Sequence, residues 1–185
     1  SWLLVPFYIF FIQSINFLNL SVNYLIINYY EGPSAISLFS VASNISNIVG
    51  FALSSINIFL APNISNLYHR GKVLDLQKIL KFIAKVNLTF GVISTIAIII
   101  FGKIFLKLYD SEMIASYPLI LILLIGQLFH VFSGSVTYLM IMTRLEKIAA
   151  LGIGVSFLLN FALNMILIPN YGLIGCCIAA TISII

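Results

Sequence analysis

The chain has 185 residues, of which 62% are hydrophobic and only 8% charged, with a mean hydropathy of +1.16 and a formal net charge of +4. Soluble domains carry about 25% charged residues, so a water-soluble globule is excluded, and the apolar richness excludes a disordered segment as well. The five acids and nine bases cluster between long apolar runs, and a net charge of +4 is too dilute to argue for nucleic-acid binding.

Asp, Glu, Lys and Arg are absent from 1–30, 32–69, 86–102, 113–143 and 148–185. A spanning helix needs about 20 apolar residues. The pattern predicts an all-α, polytopic membrane helix bundle with spans near 3–28, 36–61, 86–106, 116–142, 148–168 and 172–185. The first opens directly in apolar sequence at Ser1-Trp2, without the basic region or cleavage site of a signal peptide. Pro169-Asn170-Tyr171-Gly172 is a turn signal that divides the fifth span from the sixth. The sixth would reach only about 21 Å at 1.5 Å per residue and reads as truncated, so the chain is expected to be part of a longer protein.

Loop charge predicts orientation. Arg70, Lys72, Lys78, Lys81, Lys85, Arg144 and Lys147 follow spans two and four. The other connections hold Lys103 and Lys107, expected to snorkel, with Glu31, Asp110 and Glu112. Bases concentrate on the cytoplasmic side, which places the even-numbered connections and the amino end there. Within 72–85, Leu76, Ile79, Leu80 and Ile83 recur at helical spacing opposite Lys78, Lys81 and Lys85. Two readings fit: a basic amphipathic helix on the cytoplasmic membrane face, or an extension of the third span.

Four spans carry polar stripes. At 100° per residue, Gln13, Asn16, Asn19 and Asn23 fall within about 120° of one another. The second span has Ser37, Ser40, Ser43, Asn44, Asn47, Ser54 and Ser55; the fourth has Gln127, His130, Ser133, Gly134 and Thr137; the fifth has Ser156, Asn160 and Asn164. An unpaired polar group in hydrocarbon costs several kcal/mol, so these stripes face one another or a wet cavity. As interhelical glue each bond contributes about 0.6–2 kcal/mol. As a cavity wall, Asn16, Asn19, Asn23, Ser40, Asn44, Asn47, Gln127, His130, Asn160 and Asn164 suit a ligand rich in hydroxyls better than a small ion. His130 is the one Asp, Glu, Lys, Arg or His well inside a predicted span, which makes it a candidate for proton coupling or ligand contact, against a neutral His bonded to a neighbouring helix.

Cys176 and Cys177 have no His or acid nearby, so they read as small packing residues rather than metal ligands. Gly175, Ala179 and Ser183 form a small-residue packing stripe. No predicted span contains an acid, and no metal-ligand spacing, phosphate loop or nucleophile elbow occurs, so the chain does not read as an enzyme.

Three stretches resemble one family. Asn164 through Pro169-Asn170-Tyr171-Gly172, Gly175, Ala179-Ala180-Thr181 and Ser183 resembles the N-x-x-L-I-P-x-Y-G-x-x-G-A-A-x-A-T-x-x-S stretch of bacterial polysaccharide (O-antigen, Wzx-type) flippases. Tyr30-Glu31-Gly32-Pro33 followed by Leu38-Phe39-Ser40-Val41-Ala42 is similar to the G-x-x-x-V-G-x-Y-S-x-A of that family. Leu60-Ala61-Pro62-Asn63-Ile64-Ser65 with Gly71 is similar to its P-x-I-S-x-L-x-x-x-G. These proteins belong to the multidrug/oligosaccharidyl-lipid/polysaccharide exporter superfamily.

The resemblance implies two six-helix lobes around a central cavity, of which this chain is most of the carboxyl-terminal one. The amino-terminal lobe of the same chain would be its partner. It also implies movement of undecaprenyl-diphosphate-linked oligosaccharide across the inner membrane, in contact with membrane lipid. No cofactor is implied, only coupling to a proton or sodium gradient. Many members carry Asp where Asn23 stands, which leaves the coupling ion open, and the cations that would hold a diphosphate must come from the other lobe. The competing readings are a multidrug antiporter of the same superfamily, a membrane glycosyltransferase, which calls for clustered acids or Arg in a large extramembrane loop, and a noncatalytic scaffold.

Overall fold

A computed structural model describes residues 4–133, 136, 139–140, 143 and 145–184, and among them the chain is helical apart from short turns. Helix α1 covers Leu4–Tyr30, α2 Pro33–His69, α3 Val73–Tyr109, α4 Tyr117–Ser133 and α5 Glu146–Ile184. Five helical stretches are long and apolar enough to cross a membrane, the fourth being α4 together with the helical residues before it from Glu112. Phe10, Phe51, Phe132 and Leu151 are exposed, an inverted surface that lipid tolerates and water does not. The protein is a multi-pass, all-α membrane bundle.

Each break has a local cause. Between α1 and α2, Gly32 takes a φ of 84°, and Pro33, which has no N–H to leave unpaired, starts the next helix. After α2 the backbone N–H groups of Arg70, Gly71 and Lys72 fold back onto the carbonyls of Asn66, Tyr68 and Leu67, with Gly71 at φ 68°. After α3 the Asp110 carboxylate accepts the Glu112 N–H at 3.0 Å and opens a short 3-10 helix, Ser111–Ser116. At this end the Tyr117 hydroxyl donates to the Ile99 carbonyl at 2.9 Å, and Lys103 Nζ lies 4.8 Å from the centre of the Tyr117 ring.

α5 is a hairpin. Its backbone leaves helical geometry at Gly172, with φ 57° and ψ −138°, and the arm beyond runs back along the arm before it. Gly175 then lies so close to Leu167 that a Cβ there would stand 2.6 Å from the Leu167 carbonyl carbon. The helix continues through Pro169, Asn170 and Tyr171 and gives way only at the glycine.

α2 and α3 have 37 residues each. That is about 55 Å of helix, well beyond the hydrocarbon thickness of about 30 Å. Both overrun the expected spans 36–61 and 86–106 at the end that carries Arg70 and Lys72. Residues 73–85 are the leading turns of α3, unbroken from the remainder; Leu76 and Ile83 are buried there while Lys78, Lys81 and Lys85 are exposed. Most of 134–142, including Gly134 and Thr137 from the polar stripe, lies outside the described residues, as does Arg144.

α1 packs along α5, and α4 sits among α2, α3 and α5. Ile27, Phe39, Ala42, Ile120, Ile168 and Cys177 form the centre of the main core. The same periodicity buries Asn23, Asn160 and Asn164, while Asn16, Asn44, Asn47 and His130 on the other stripes stay exposed.

Candidate functional site

The polar stripes pair off two and two. The first joins α1 to both arms of α5. Asn164 Nδ2 donates to Asn23 Oδ1 and to Asn160 Oδ1, each at 2.7 Å. Asn160 Nδ2 donates to Ser183 Oγ at 3.1 Å, and that hydroxyl donates to the Ala180 carbonyl at 2.9 Å. The Ser156 hydroxyl donates to the Ser183 carbonyl, which closes the hairpin from the other side. Asn23, Asn160 and Asn164 are buried, so these amides hold helices together and do not line an open wall. The sequence spacing made this possible: 156, 160 and 164 stack on one face of α5, at the level of Asn23 on α1.

The second pair joins α2 to α4. Gln127 Nε2 donates to Asn47 Oδ1 at 2.8 Å. Gly50 leaves the room for it: a Cβ there would stand 3.1 Å from Gln127 Oε1 and 3.8 Å from His130 Nδ1. His130 is therefore beside the Asn47–Gln127 bond, and it is itself exposed.

The ten candidate residues fall into distinct environments. Asn23, Asn160 and Asn164 are buried together. Asn16, Asn44, Asn47 and His130 are exposed, and Ser40 and Gln127 half-buried. Asn19 is half-buried one turn from Asn23, with its Oδ1 enclosed and unpartnered. Asn164 Oδ1 is likewise enclosed without a partner, although its Nδ2 makes two bonds.

Several participants were not evident from residue type. Ser183, expected only to pack, is the hub of the hairpin's hydrogen bonds. The Thr181 hydroxyl donates to the Ile122 carbonyl at 3.1 Å and fixes α5 to α4. On α3, Asn87 and Thr95 are buried with unpartnered side-chain atoms, on either side of Gly91 at spacings of four. That i, i+4, i+8 pattern was readable in the sequence but is short and set in an otherwise apolar span.

Residues 7–166 match the family model described as MatE. The chain is 23% identical over 178 residues to the capsular polysaccharide biosynthesis protein CapF of Staphylococcus aureus. The match covers 94% of this chain and 44% of CapF, so the chain spans less than half the length of that relative. No solved structure matches it.

Proposed function

Because the chain belongs to the MatE family of membrane transporters, we propose that the full-length protein moves a lipid-linked oligosaccharide across the bacterial cytoplasmic membrane by alternating access. The observation that carries this reading is the uncharged polar group on α2 and α4, where Asn47 is bonded to Gln127 beside His130 and Ser40 and Asn44 follow on the same face of α2; Asn16 is exposed on α1. Carboxamides and hydroxyls both donate and accept, as sugar hydroxyls do, so such a wall exchanges partners with a passing saccharide without stripping a charge of water. The capsular polysaccharide function in the name of CapF points the same way.

In this reading Asn23, Asn160 and Asn164 act one layer behind the wall, holding α1 on α5, and the substrate meets the exposed set. A second six-helix lobe completes the cavity and supplies the cations for a diphosphate. His130 is assigned to proton coupling, since an imidazole can both take up and release a proton and stands beside the Asn47–Gln127 bond.

The test is export of surface polysaccharide in cells whose own exporter has been deleted, complemented with the full-length protein. Asn44→Leu and His130→Ala are expected to lower export at least tenfold at equal protein level. Full export with both changes overturns the cavity assignment. Full export with His130→Gln alone, together with dependence on external sodium, moves the coupling from proton to sodium.

A further inference from the structure

A second feature lies along the same α1–α5 contact, towards the amino ends of the two helices and away from the hydrogen-bonded amides. Between α1 and the first arm of α5 runs an apolar groove of about 660 Å³. Phe11 and Ile15 form one wall; Ala150, Val155 and Leu158 are among the residues of the other. Gly154 opens its floor, because no atom lies within 4 Å of the place a Cβ would take. Tyr8 and Lys147 stand together at one end.

Three properties identify an occupant. The first is length. From Lys147 to Leu158 the groove follows α5 for about 16 Å at 1.5 Å per residue, half of a hydrocarbon core of about 30 Å, and so one leaflet deep. The second is charge. Lys147 is exposed and has no carboxylate partner among the described residues, while the neighbouring Glu146 is buried. The third is position. Lys147 lies at the end of the bundle that carries Arg70, Lys72, Lys78, Lys81 and Lys85, the side that charge distribution assigns to the cytoplasm, where the anionic lipids are. Tyr8 beside it has the amphipathic ring suited to the headgroup level.

We propose that this groove binds one acyl chain of an anionic phospholipid of the cytoplasmic leaflet, with the lipid phosphate on Lys147. Basic pockets between transmembrane helices on the cytoplasmic side hold such headgroups. A chain much longer than one leaflet, such as a polyprenyl, would overrun the groove at Leu158. The proposal does not depend on what the protein transports.

The experiment is native mass spectrometry of the purified full-length protein, offered phosphatidylglycerol, phosphatidylcholine or a polyprenyl phosphate in turn. Phosphatidylglycerol is expected to be retained about fivefold over phosphatidylcholine, the effect of one lysine near an anionic headgroup. Lys147→Gln should abolish that preference, while Lys81→Gln, on the exposed face of α3, should leave it unchanged. Gly154→Phe should reduce retention of both phospholipids by filling the floor. A photoreactive side chain at Leu151 checks occupancy independently, and lipid adducts there support the proposal.

Equal retention of the two phospholipids by the unmodified protein overturns it. So does preferential retention of the polyprenyl phosphate, which would make the groove a path for substrate. Cross-linking from position 151 to another part of the same chain also overturns it, because protein would then cover the groove.

Discussion

The Glu31 carboxylate stands where a side chain on Gly172 would have to go: Oε1 lies 2.8 Å from the Cβ position of that glycine. The turn between α1 and α2 therefore closes over the tip of the α5 hairpin, and two motifs about 140 residues apart in sequence meet at one end of the bundle. Gly172→Ala is expected to suffer twice, from the positive φ, at about 1–3 kcal/mol, and from the clash. Adding Glu31→Ala should recover the second part and leave the first. Thermal unfolding of the four proteins of that cycle in detergent separates them.

A harsher outcome is expected at Gly175. The obstacle there is the backbone of Leu167, which cannot rotate away as a carboxylate can. Gly175→Ala should destabilise more than Gly172→Ala and lower the yield of folded protein. Gly50→Ala provides the contrast, since the nearest atom is the far end of Gln127, at 3.1 Å. Its cost is expected to stay within about 1 kcal/mol.

The Asn23–Asn164 bond is open to direct measurement. Asn23→Ala, Asn164→Ala and the double substitution form a cycle whose coupling energy is expected to lie between about 0.6 and 1.7 kcal/mol, the range for interhelical hydrogen bonds in membranes. Asn164→Leu removes the same donor as Asn164→Ala and adds branched bulk at a fully buried position, so it should cost more. A coupling near zero shows that the two amides act independently.

Orientation is tested by labelling. Single cysteines at Lys81 and Lys147 should be blocked in intact cells and react after permeabilisation, whereas cysteines at Glu31 and Asp110 should react from outside. The native Cys176 and Cys177 are buried and free, so background labelling is expected to be low. The reverse pattern inverts the topology.

The helical, membrane-spanning character was legible in the sequence because it needs only long uncharged runs and a charge asymmetry. Gly172 was legible as part of a turn for a similar reason, since a glycine after a Pro-Asn-Tyr stretch is local information. Partner choice was not. The stripes on α1 and α5 and those on α2 and α4 look alike as patterns, and only packing decides that Asn164 reaches Asn23 while Gln127 reaches Asn47. The ends of α2 and α3 were also obscure, because a helix extends past the bilayer wherever its backbone bonds continue, and hydropathy does not record that.

The joint between α1 and α5 consists of carboxamides, hydroxyls and a backbone carbonyl. Nothing in it gains or loses a proton between acid and alkaline solution, so an ion gradient has no handle on that seam. Acid or alkali is therefore expected to leave the bonds that fasten those two helices in place. Protonation has something to act on at Glu31, against Gly172 at the hairpin tip, and at His130 beside the α2–α4 contact.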